Sequence, residues 1–175
     1  MFKVLTEGCT PTRGTKYSAC VDLYASEDVV IGAGETKVVG LGVCLDLESL
    51  IVNNQDLFMI QDSMFTFDSV YDPFLKSHYI LLEPRSSLRA KGLQAGTGII
   101  DLDYKDEIKI IIHNPLNLDG AYQSANSIEP EDYKISKGQR IAQITLLEHK
   151  SYLFGIESDV IRDGGFGSTD KYYLA

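Results

Sequence analysis

The sequence predicts an all-β domain, a sandwich or a barrel, on three observations. Short strand-forming runs recur along the chain, glycine-rich turns separate them, and helical period is nearly absent. A length of 175 residues suits one domain spanning 1–175 and is enough to bury a full core. With 44% hydrophobic and 23% charged residues, the chain has the balance of a packed protein rather than of a disordered one.

The stretch from Met1 to Gly8 turns polar too soon for a secretory signal, and no apolar run approaches the roughly 18 residues that span a bilayer. The expectation is an intracellular protein, cytoplasmic, or nuclear or in a host cell if its source is eukaryotic or viral. Cys9, Cys20 and Cys44 form an odd set without CxxC spacing, which reads as free thiols in a reducing compartment. Ile31-Gly32-Ala33-Gly34 reads as a turn, and Thr36 through Leu45 as one β-rich run. Residues 46–83 are weakly patterned and acidic, with a probable insertion at about 48–77. Tyr79 to Leu82 is a short strand stopped by Pro84. The one short helix expected follows, with Ser86 or Ser87 capping Leu88-Arg89-Ala90-Lys91 before Gly92 ends it. Gly98-Ile99-Ile100 and Ile108-Lys109-Ile110 flank a polar tip and read as a hairpin, the run from Glu107 to Ile112 beginning with clean alternation. Residues 115–134 are long, polar and turn-rich, a second probable insertion. Ile141 to Leu147 is the last strand, and a mobile tail is expected from about 158.

Charge divides the chain unevenly. Lys and Arg number 16 against 25 Asp and Glu, a net charge of −9. Residues 46–83 hold one basic and seven acidic residues, and 115–134 hold one and four, so these two segments carry the whole excess. Such a balance argues against a general nucleic-acid or anionic-membrane binder. It leaves a small anionic ligand open, and marks the two segments as acidic surface, for solubility or for a basic protein partner.

Three clusters can carry chemistry. Asp101 and Asp103 share one face of an extended chain beside Tyr104, because side chains alternate with period two. A carboxylate there can draw a proton from an attacking water, and the same residues also suit a solvated turn. Pro84-Arg85-Ser86-Ser87-Leu88 ends a strand and opens a helix. Its guanidinium, hydroxyls and free N–H groups favour phosphate, and equally fit an ordinary capped helix start. Arg162-Asp163-Gly164-Gly165-Phe166-Gly167-Ser168-Thr169 combines a backbone that can approach phosphate with a ring that can stack on a base, without Walker A spacing. His78, His113 and His149 sit in contexts that suit solvation or packing.

These residues carry a resemblance. Ser18-Ala19-Cys20-Val21-Asp22-Leu23-Tyr24-Ala25, Pro84 through Ser87, Gly98 through Glu107, Gly138 through Gln143, and Arg162 through Thr169 are similar to the five motifs of the trimeric dUTPase family, in register across positions 18–169. The resemblance implies a distorted jelly-roll, barrel-like subunit in a homotrimer with active sites shared between subunits. It implies hydrolysis of dUTP to dUMP and pyrophosphate, with Asp101 as the base for water attacking the α-phosphate. Tyr104 would pack under the deoxyribose. Backbone from Ile99 and Ile100 to Asp101, and around Lys109, would pair with uracil, near Ala95. Arg85, Ser86 and Ser87 would hold phosphate from a neighbouring chain, and Gln143 and Asp22 would order water around it. Asp22 and Asp103 stand behind the groups that touch the nucleotide. Phe166 would close over the base, while Arg162, Gly167 and Ser168 clamp the terminal phosphates. Mg²⁺ would ride on the triphosphate with no dedicated protein ligands.

The chain departs from the family pattern at Cys20 for Gly, Ala95 for Asn and Lys105-Asp106 for Arg-Gly, and Arg162 stands one residue closer to Gly164-Gly165. Two alternatives accompany the enzyme: a dCTP deaminase relative of the same fold, and a nucleotide-gated regulatory binding protein using the acidic segments.

Overall fold

A computed structural model describes residues 1–54, 67–115 and 132–156, together with 158, 160 and 162. The strands are β1 (Phe2–Val4), β2 (Val21–Tyr24), β3 (Val29–Ile31), β4 (Thr36–Gly40), β5 (Val43–Leu45), β6 (His78–Pro84), β7 (Gln94–Ala95), β8 (Gly98–Asp101), β9 (Lys109–His113), β10 (Tyr133–Ile135) and β11 (Arg140–Glu148). The helices are α1 (Leu47–Val52), α2 (Phe67–Ser77) and α3 (Ser86–Arg89), and a 3₁₀ turn covers Ser151–Phe154.

Among the described residues four antiparallel pieces make up the β structure. The largest runs β2-β11-β6-β8, a second runs β4-β9-β7, and two pairs join β1 to β5 and β3 to β10. The nine-residue β11 is the spine of the first, with β2 on one side and β6 on the other, and its register shifts between Arg140 and Ala142. Apolar side chains alternate inward along these strands: Leu23, Ile80, Leu82, Ile110, Ile112, Ile141 and Ile144 are buried in one core cluster. The expected all-β class is what forms, with few helices.

The single run expected over Thr36 to Leu45 is two strands in two sheets. Gly42, at φ 66°, turns the chain between β4 and β5, and a Cβ there would stand 2.7 Å from both Cβ and Sγ of Cys9. Only glycine relieves both constraints. The other correction lies in residues 46–83, where α1 and α2 form in addition to the one helix expected. Asp46 caps α1, its carboxylate accepting from Ser49 N at 3.1 Å and from Ser49 Oγ at 2.7 Å. Leu47, Ile51 and Phe74 enter the common core, so the described part of this segment is anchored rather than laid over the surface.

The helix after Pro84 forms, but its cap differs from expectation. Arg85, in extended conformation, is the N-cap without a side-chain capping bond, and Ser86 and Ser87 lie inside α3, both exposed. The helix therefore starts one residue earlier than a Ser86 cap would place it. Its end matches: Gly92 at φ 83° donates to Arg89 O, Leu93 N reaches Leu88 O, and the buried Leu88 and Leu93 complete a Schellman turn.

Candidate active site

The polar tip between β8 and β9 builds the first half of the site. β8 pairs with β6 and β9 pairs with β4 and β7, so the arms expected as a hairpin ladder diverge into two sheets. A cavity of about 250 Å³ opens between them. Ile99, Ile100, Ile110 and Ile111 supply apolar wall, Gly96 to Gly98 supply a thin rim, and Asp101, Tyr104 and Lys109 supply polar groups.

The turn is fixed from within. Tyr104 N donates to Asp101 O at 3.1 Å, and Leu102 is buried while Asp101 and Asp103 point outward. The expected shared face of the two carboxylates is therefore present. The Tyr104 hydroxyl donates to Glu107 O at 3.2 Å, and Glu107 Oε1 accepts from Gly42 N at 2.8 Å. A Cβ at Gly40 would stand 2.5 Å from that same Oε1, so β4 approaches the turn as closely as glycine permits.

Arg162 closes the cavity mouth. Its Nη2 donates to Asp101 Oδ2 at 2.5 Å, and its Nε lies 3.1 Å from Asp103 Oδ1, within ion-pair range but not aligned as a hydrogen bond. The guanidinium also sits 5.9 Å from the centre of the Tyr104 ring. Its side chain is only 16% exposed while Asp101 remains 62% exposed, so the carboxylate keeps an open side facing solvent.

A second half forms on the spine sheet. Asp22, Gln143 and Glu83 stand in one row across β2, β11 and β6. Asp22 is the one buried charged residue among those described, and it faces two cations: Arg85 Nε at 3.4 Å and Arg140 Nη1 at 3.3 Å. Asp22, Arg85 and Gln143 are thus brought together on one sheet. Arg140 was not singled out by sequence reasoning, although its place in Gly138 through Gln143 was the available signal. Glu107, which anchors the tyrosine, was likewise missed. None of Asp22, Arg85, Ser86, Ser87 or Gln143 lines the cavity. Ala95 pairs with Ile112 one residue short of the lining. Phe166, Gly167 and Ser168 lie outside the described residues.

Comparison with known proteins identifies the family. The dUTPase family model matches residues 61–170. A deoxyuridine 5′-triphosphate nucleotidohydrolase of Debaryomyces hansenii is 32% identical over 168 residues, covering 92% of this chain and 80% of the relative.

The chain belongs to the dUTPase family.

Another relative of that name, from Nautilia profundicola, is 30% identical and covers 97% of this chain and 96% of its own length. Among solved structures, the Staphylococcus bacteriophage 80alpha dUTPase with dUPNHPP superposes with a TM-score of 0.59 at 22% identity, covering 96% of each chain, a likeness of fold. Residues from Gly98 to Tyr104 border the cavity, and Asp22, Arg85, Arg140 and Gln143 meet on the spine sheet. Among the described residues no helix is long and apolar enough to cross a membrane.

Proposed function

We propose that this chain is a dUTP diphosphatase, converting dUTP to dUMP and pyrophosphate. The observation that carries the reading is the cavity between the diverging β8 and β9, apolar along its walls, with a solvent-open carboxylate and a phenol at its mouth. A volume near 250 Å³ suits one nucleobase and part of its sugar. Backbone groups of Ile99, Ile100 and Lys109 border it and can meet a pyrimidine edge. Tyr104, held through Glu107, provides a flat floor for deoxyribose.

Asp101 in this reading takes a proton from the water that attacks the α-phosphorus. Its open side leaves room for that water. Arg162 holds Asp101, and an incoming triphosphate, a stronger bidentate partner, draws the guanidinium toward the terminal phosphates. Arg85, with Ser86 and Ser87 beside it, offers a cation and hydroxyls for phosphate oxygens, and Asp22 keeps the Arg85 guanidinium oriented. Phe166, Gly167 and Ser168 complete the closure over base and phosphates. Reaction of this class depends chiefly on placement and charge neutralisation, which is what these side chains supply.

Mg²⁺ fits this donor set as a passenger on the nucleotide. Among the described residues no three His, Cys, Asp or Glu gather as a metal cage, and this ion usually keeps waters and binds through phosphates. When bound it supplies positive charge against the triphosphate.

A homotrimer with shared sites belongs to the proposal. Two features support it: the Asp22 row does not line this chain's own cavity, and Tyr152, Leu153, Phe154 and Ile156 present apolar side chains to solvent as a second copy could cover. The three cysteines are free thiols, which suits an intracellular setting.

Pyrophosphate release, measured with dUTP beside dCTP, dTTP and UTP, with Mg²⁺ and with chelator, tests the function. Efficient turnover of dUTP alone, suppressed by chelator, is expected. Ammonia release from dCTP, or nucleotide binding without pyrophosphate release, would overturn it.

A further inference from the structure

Among the described residues β8 is an edge strand that pairs with β6 alone. The register runs Tyr79 to Asp101, Ile80 to Ile100, Leu81 to Ile99 and Leu82 to Gly98, and there it stops. Continued by one step it would set Glu83 opposite Thr97. At that step a side-chain bond stands where the backbone ladder has ended: Thr97 Oγ1 donates to Glu83 Oε1 at 2.6 Å. The other carboxylate oxygen, Oε2, accepts from Arg89 Nη2 in α3 at 2.8 Å.

The segment held this way is thin. Thr97 sits between Gly96 and Gly98, all three line the cavity, and a Cβ at Gly96 would meet nothing within 4 Å. The Cβ direction of Gly96 therefore faces open space. The same β8 carries Asp101 at its far end, so the angle of this edge strand sets both the rim of the cavity and the position of the carboxylate. One side chain thus spans from the cavity rim to the helix that follows Arg85.

We propose that Glu83 is a positioning residue, a clasp from β6 that fixes the start of β8 and the Gly96–Gly98 rim and so sets the width of the nucleotide cavity. This deepens the proposed function and rests on that reading of the cavity. Glu83 does not line the cavity itself; it acts through Thr97.

The test compares Glu83→Ala, Glu83→Gln, Thr97→Val and the double variant Glu83→Ala with Thr97→Val in the full chain. Amide hydrogen exchange of residues 97–99 reports the clasp without any ligand, and KM and kcat for dUTP report its use. Loss of the bond is expected to speed exchange at 97–99 and to raise KM about fivefold with kcat within about twofold, because a looser wall weakens ground state and transition state alike. Glu83→Gln keeps an oxygen for Thr97 and gives up only the exposed contact to Arg89, so it should stay near the unaltered protein in both readouts. The double variant should be no worse than either single one, since both remove the same bond.

Additive effects, a Glu83→Gln variant as impaired as Glu83→Ala, or unchanged exchange and KM in Glu83→Ala would overturn the proposal. Turnover of dUTP by the unaltered protein is scored separately. Its absence would remove the nucleotide reading, whereas failure of the clasp with turnover intact would remove only the role of Glu83.

Discussion

Asp22 and Asp101 are both aspartates paired with arginine, and they are built for opposite purposes. Asp22 is buried in the row across β2, β11 and β6, and both its oxygens face cations, Arg85 and Arg140. Asp101 stands at the end of an edge strand, 62% exposed, with one oxygen on Arg162. A buried carboxylate between two guanidiniums is a fixed part of the frame: removing it strands the arginines. An exposed carboxylate with a single, removable partner can be handed to water and substrate. Carboxylate and arginine together therefore say little about role until burial and the number of partners are known.

The largest test of that contrast is Asp101→Asn. It should lower kcat by roughly a thousandfold with little change in nucleotide affinity or in Tm, as loss of a general base does. Pyrophosphate release and isothermal titration with a non-hydrolysable analogue measure the two sides, and near-normal kcat would break the assignment. Asp22→Asn should show the reverse emphasis. Its main cost is stability, about 2 kcal/mol in urea unfolding, because two arginines lose their shared anion while staying partly solvated. A variant of unchanged stability would place Asp22 with the working residues instead.

Tyr104→Phe probes the intermediate case. It removes the bond to Glu107 O and should raise KM for dUTP by about threefold, a change near the net worth of one hydrogen bond. The smallest effect expected concerns pH and lies far from either aspartate. Bonds from the Ser49 hydroxyl and backbone N–H hold Asp46 below the usual carboxylate range. With its folded value depressed, the α1 cap contributes above the unfolded value and its contribution is lost as pH falls through the folded one. In acid unfolding, Asp46→Asn should show a shallower loss of stability below about pH 4 than the unaltered chain. An identical profile would show that the cap carries no pH-linked stability.

Much of the fold follows from local pattern. Tyr79 to Leu82, Lys109 to Ile112 and Ile141 to Leu147 are strands because apolar, β-branched residues agree there with burial. The union of β4 and β5 misleads, since the residues on both sides of Gly42 favour strand and only the contact with Cys9 reveals the turn. The helices α1 and α2 were hidden for different reasons. α1 spans six residues, too few for a period, and Pro73 inside α2 reads as a breaker in sequence. At the site, Asp101, Asp103 and Tyr104 were legible because they are adjacent along the chain. Their meeting with Arg162, 61 residues away, and the parting of β8 from β9 were not, because both depend on which sheet each strand joins.

The parting of β8 and β9 also bears on how base selectivity could be altered. The slot is a seam between two separately hydrogen-bonded pieces, so changing its width breaks no ladder and works only against side-chain packing. A residue behind the seam, the buried Leu102 at the turn, acts as a shim. A bulkier or slimmer shim would resize the opening while every group that touches the nucleotide stays as it is.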